Sequence, residues 1–154
     1  MDTLTHVSIE AAAITSLALA FVSAIIPWVN AEALVLALPA VAHSRAELAG
    51  LVLLVTVGQM AGKCVVYCAG RRGARIGSQK MAERLARWQE RAAKSPRRAI
   101  ALVAISSVIG IPPFYLMSAV AGAVGMNLGW FLAAGTCGRL VRFTAIALGV
   151  GMLL

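Results

Sequence analysis

Long apolar stretches, broken at short polar intervals, run along this chain. The first extends from Ala11 to Ala42 and is interrupted by Pro27-Trp28-Val29-Asn30 and then Glu32. A spanning helix needs about 20 apolar residues, so both arms are short. Two short arms around a polar, proline-containing turn predict a re-entrant hairpin over 11–42. Non-helical backbone at membrane depth survives only where protein or water covers it. A tilted span ending at Pro27, followed by an interfacial helix, is the alternative. After the polar break His43-Ser44-Arg45-Ala46-Glu47, residues 48–70 predict a full-length span. Within it, Gly58 and Gly62 form a GxxxG spacing that lets helices approach closely and allows a homodimer. Residues 99–126 are apolar again but broken by Gly110-Ile111-Pro112-Pro113. Two adjacent prolines remove two amide donors, so a second hairpin is predicted, with a single kinked span as the alternative. Asn127 marks a boundary, Trp130 suits an interfacial anchor, and 128–154 is the last span.

Between the spans, Met81, Leu85, Trp88 and Ala92 fall on one helical face. Lys80, Arg84, Arg87, Arg91 and Lys94 form a parallel basic stripe, supported by Glu83–Arg87 and Glu90–Lys94 pairs at i,i+4. Such a helix is expected to lie in the membrane interface, its cations on anionic headgroups.

Composition agrees with lipid as the solvent. The 154 residues are 60% hydrophobic and 13% charged, with a mean hydropathy of +0.86. Soluble domains run at about 45–50% apolar and about 25% charged. Residues 71–98 hold ten of the fourteen Lys and Arg against two of the six acids, which is the whole net charge of +8. The positive-inside rule places that loop in the cytoplasm. No aromatic-rich binding module accompanies it, which argues against nucleic acid. Ala40-Val41-Ala42 resembles a signal-peptide cleavage site, but no positive n-region precedes it, so the segment reads as mature structure. Cys64, Cys68 and Cys137 read as small packing residues rather than metal ligands or disulfide partners.

The two halves share an order, hairpin then span. Gly62-Lys63-Cys64-Val65-Val66-Tyr67 parallels Gly138-Arg139-Leu140-Val141-Arg142-Phe143, and the segment from Ser23 to Pro27 faintly echoes that from Ser107 to Pro112. With the basic loop inside, the hairpins would dip in from opposite faces, which is the inverted-repeat plan of transporters. The expected architecture is a single all-α integral membrane domain over 1–154, with two opposed re-entrant hairpins, two spanning helices and a cytoplasmic amphipathic helix.

These hairpin and span residues resemble the DedA family, also known as the VTT-domain or SNARE-associated family, over about residues 20–150. Pro27, Asn30 and Glu32 are similar to its first hairpin. Gly58, Gly62, Tyr67, Gly70, Arg71 and Gly73 resemble its glycine-rich span. Pro112, Ala121-Gly122, Met126 and Phe131 resemble its second hairpin and the start of the final helix. Gly138, Arg139 and Arg142 look like the basic ending of a short subgroup lacking the usual C-terminal extension. The resemblance implies a multi-pass protein of a bacterial-type inner (plasma) membrane. It also implies translocation of phospholipid or polyprenyl phosphate, of flippase or scramblase type, with proton coupling in several bacterial members. One departure stands out: typical members place arginines around the second hairpin's proline, where this chain has Val108 and Phe114.

Four ionisable residues lie within apolar segments: Glu32, Lys63, Arg139 and Arg142. Each costs about 2.5–3.5 kcal/mol at the centre of an inserting helix. Lys63, seven residues before Gly70, is expected to snorkel. Arg139 lies roughly 16 Å beyond Leu128 at 1.5 Å per residue, near the middle of a ~30 Å core. With Asn30, these residues are the candidate substrate or ion site, a lipid phosphate beside a titratable glutamate; the bland alternative is a structural ion pair. The turn prolines Pro27, Pro112 and Pro113, and the glycines Gly58, Gly62, Gly122 and Gly138, are assigned to turns and helix packing. His6 and His43 stand apart, no nucleophile, base and orienter assemble, and no cofactor or metal is called for. Competing with lipid transport are an assembly protein that recruits a cytoplasmic partner through its basic loop, and a small-solute or ion transporter.

Overall fold

The structure is a computed structural model that describes residues 2–26, 31–76, 83, 86, 87, 89, 90 and 94–151. Six helices and no strand occur among them: α1 Asp2–Ile25, α2 Ala31–Val41, α3 Arg45–Ile76, α4 Pro96–Ile109, α5 Phe114–Ala123 and α6 Leu128–Gly151. The turn residues Pro27 and Asn30 lie outside the described residues. So does most of the basic stripe, although Glu90 and Lys94 form their i,i+4 pair at 2.8 Å on the surface.

Local chemistry sets the helix ends. At the start of α3 the Glu47 amide donates to Ser44 Oγ (3.1 Å), while Glu47 Oε2 accepts from the His43 amide (2.8 Å). This is a close variant of the capping box. Helix α4 begins with proline in its first turn, where no amide partner is needed. It ends at Gly110, whose φ of 84° is left-handed and whose amide bonds back to the Ser106 carbonyl. The next turn of α4 cannot form, because Pro112 and Pro113 have no amide to donate. Ser106 Oγ bonds the Pro112 carbonyl at 2.6 Å and ties the break to the helix before it. Asn127 Oδ1 accepts from the Gly129 and Trp130 amides (2.8 and 3.3 Å) and caps α6.

The predicted break at Gly110–Pro113 thus separates two helices rather than kinking one. Helix α1 begins at Asp2, well before the apolar run at Ala11. Hydropathy reports where a helix is buried, and α1 continues into a more polar stretch. The predicted span over 48–70 lies inside the longer α3. Two helices, over Arg45–Ala74 and Leu128–Gly149, are long and apolar enough to cross a membrane.

The chain divides into two compact units, Met1–Gly62 with Leu140–Leu154, and Lys63–Arg139. In the first unit, α1 packs on α2 and on the glycine face of α3. A Cβ at Gly58 would lie 2.6 Å from the Leu17 carbonyl oxygen, and one at Gly62 2.7 Å from that of Phe21. The GxxxG face is therefore filled by α1 of the same chain and is not free for a second copy. Gln59 Nε2 donates to the Ala20 carbonyl (3.1 Å) and to Ser23 Oγ, pinning the same register. Val35 and Leu38 of α2, Leu51, Val52 and Val55 of α3, and Phe143 and Ala147 of α6 form the apolar core.

In the second unit α4 packs on α5. A Cβ on Gly122 would run into the Tyr67 carbonyl oxygen, and one on Gly70 into that of Ala119. Gly138 abuts Ser107 and the Ala104 carbonyl. The Gly62 contact of the first unit, a carbonyl and a side chain three residues later, thus recurs at Gly138. It aligns Ala24 with Ser107, one residue away from the register that the Ser23 and Ser107 echo suggests.

These approaches predict a sign. Gly→Ala normally favours a helix by about 1 kcal/mol. Gly122→Ala should nevertheless destabilise by about 1–3 kcal/mol, as overpacking does, because the obstacle is backbone. Gly50→Ala, where a Cβ meets nothing within 4 Å, should be neutral or stabilising. Thermal unfolding in detergent compares the two.

Candidate functional site

Glu32 sits in the first turn of α2, where the helix dipole favours a carboxylate. Its Oε1 accepts from Arg142 Nε at 3.0 Å and from Nη2 of the same guanidinium. Arg142 lies roughly 21 Å along α6 from Leu128, at 1.5 Å per residue. The pair joins α2 to α6 within the first unit. Side-chain exposures of 37% for Glu32 and 21% for Arg142 leave the pair partly covered.

The other two cations belong to the second unit. Lys63 is only 4% exposed, and its Nζ lies 5.1 Å from the centre of the Tyr115 ring. It does not snorkel: the ammonium turns into the protein, where an aromatic face offsets part of its desolvation. Arg139 places its guanidinium carbon 4.9 Å from the centre of the Phe114 ring. Phe114 and Tyr115 open α5, immediately after the double-proline break. Pro113 caps that helix without any side-chain hydrogen bond, so the cations stand beside a helix start whose first amides no capping side chain covers.

The Phe114 ring has support. Phe131 stacks on Phe114 with centres 6.0 Å apart and on Tyr67 at 5.1 Å. The Tyr67 hydroxyl donates to the Met126 carbonyl and accepts from Arg71 Nη1 at 3.4 Å. A continuous line of rings thus runs from Tyr67 through Phe131 to Phe114 and ends at Arg139.

The expected site residues therefore divide. Glu32 meets Arg142, Lys63 meets Tyr115, and Arg139 meets Phe114; Asn30 lies outside the described residues. Tyr115 and Phe114 were not anticipated as partners for cations, nor Phe131 as the ring that stacks on Phe114. Their signal was an aromatic pair directly after two prolines, and one further phenylalanine in a chain with four. Phe114, which stands where the family resemblance leads one to expect a cation, receives one from α6 instead.

Comparison with family models, curated proteins and solved structures finds no match in any of the three.

The Glu32–Arg142 pair is half covered, so its worth falls between two limits. Exposed pairs contribute about 0–1 kcal/mol, and breaking a buried one costs about 3–5 kcal/mol. Glu32→Gln and Arg142→Met should each cost about 1–3 kcal/mol by that interpolation. The double mutant should lose less than the sum, since no charge is left without its partner. Denaturant titration of the four proteins measures the coupling; strict additivity would contradict it.

Proposed function

We propose that this chain is a membrane protein of the DedA/VTT type that moves a phosphate-bearing lipid, a phospholipid or a polyprenyl phosphate, across the bilayer. In this reading it is multi-pass in a bacterial-type inner membrane, with loop 71–98 on the cytoplasmic side. Two helices of sufficient length and apolarity support the membrane setting, and ten cations in the loop support its side.

The observation that carries the proposal is the gathering of Lys63 and Arg139 at the Phe114–Tyr115 start of α5. Cations within apolar helices are expensive and mark ion or substrate paths. A ring face fixes where each cation lies. A helix start adds backbone donors and the positive end of a dipole, the setting in which phosphates bind. A phosphate headgroup satisfies all three features, whereas a neutral solute uses none of them. Glu32 and Arg142 serve this reading as the clamp between α2 and α6.

The test is reconstitution in liposomes, following inward movement of labelled phospholipid and polyprenyl phosphate with and without a pH gradient. Translocation should exceed that of empty liposomes. Lys63→Met and Arg139→Met should each slow it about tenfold or more, the rate equivalent of ~1.4 kcal/mol, at normal membrane abundance. Translocation no faster than in empty liposomes, for every phosphate lipid tried, would reject the proposal.

A further inference from the structure

The first unit carries an open groove of about 220 Å³ between α3 and α6, separate from the cation-bearing site. Arg45, Ala49 and Leu53 line it from α3, and Leu140, Thr144 and Leu148 from α6. Arg45, Ala49 and Leu53 follow one another at four-residue steps, so they form one stripe roughly 12 Å long at 1.5 Å per residue. One end of the stripe is a guanidinium and the rest is hydrocarbon.

Arg45 is the first residue of α3, which puts it at headgroup level if α3 spans the membrane. Its nearest acid in sequence, Glu47, is committed to the His43 amide in the cap. At i,i+2 the two side chains do not face each other on a helix. The groove therefore pairs a cation at the membrane surface with an apolar trough running into the hydrocarbon. That order matches an anionic lipid, headgroup first and chain following.

We propose that this groove holds one acyl chain of an anionic phospholipid, with its phosphate on Arg45. The lipid belongs to the leaflet facing the start of α3. It is a resident ligand that fills the seam between α3 and α6, and the cargo is a separate molecule. The proposal rests on the membrane setting but does not require transport.

The experiment uses the full chain in phosphatidylcholine vesicles doped with either phosphatidylglycerol or phosphatidylcholine bearing a photoactivatable acyl chain. Labelled peptides are then mapped. Phosphatidylglycerol should label 48–53 and 140–148 at least fivefold more than phosphatidylcholine does. Arg45→Gln should bring that ratio to about one. Ala49→Trp, at an exposed position, should empty the groove of both lipids without disturbing the core. Labelling of the exposed face bearing Leu102 and Ile105 reports insertion in every sample. If that face is labelled but the groove shows no headgroup preference, the proposal is overturned while the membrane setting stands. If neither is labelled, the membrane setting fails as well. Protein–protein crosslinks through 140–148 would assign the groove to a second copy and also overturn it.

Discussion

Backbone-to-backbone contact at glycine is the constraint on which the rest of this structure depends. Where Gly58 and Gly62 meet α1, where Gly70 meets the Ala119 carbonyl of α5, and where Gly122 meets the Tyr67 carbonyl of α3, a single methyl group would push two helices apart. Such contacts admit one register and no other. The register matters because the charged residues are placed relative to it. Lys63 follows Gly62, and Arg139 follows Gly138, each of which abuts a neighbouring helix. The glycine fixes the helix, and the next residue inherits a direction. Close approach of small residues is also the way helices associate in lipid, where apolar burial offers no advantage between helices.

Charge is then managed in two different ways. The first unit uses a carboxylate, so Arg142 has an ionic partner in Glu32 with two hydrogen bonds to one oxygen. The second unit uses rings, so Lys63 and Arg139 rest against Tyr115 and Phe114. An ion pair satisfies both partners and favours permanence. A cation over a ring is positioned by the face that it rests on. The line of stacked rings from Tyr67 to Phe114 holds that second arrangement in place, and the double-proline break supplies the helix start beside it. Structure and proposed function are thus connected through a single segment, Gly110 to Tyr115.

Much of this was legible in the sequence because it depends on local chemistry. Gly110-Ile111-Pro112-Pro113 marks a break and Asn127 a boundary; Ser44 and Glu47 show in the sequence as a polar interval, and only the structure makes them the cap of α3. The glycine face of α3 was visible as a spacing. Its partner was not, since a GxxxG pattern looks the same whether it receives α1 or a second molecule. The charged residues could be recognised as costly, but not sorted into partners. Glu32 with Arg142 is a contact across 110 positions, and nothing in one sequence singles it out. The inward turn of Lys63 was hidden for a different reason. A lysine near a helix end can reach the surface, and only the ring of Tyr115, 52 positions away, makes the interior competitive.

The proposal that the start of α5 is a phosphate site can be tested at Ile111, which is exposed at the break. With Cys64, Cys68 and Cys137 replaced, an Ile111→Cys protein in native membranes would be treated with a charged, water-soluble maleimide. The account predicts modification, slowed severalfold by an added short-chain phosphate lipid and not by a short-chain lipid that lacks phosphate. A thiol that never reacts, or one whose rate is indifferent to the phosphate lipid, would contradict it.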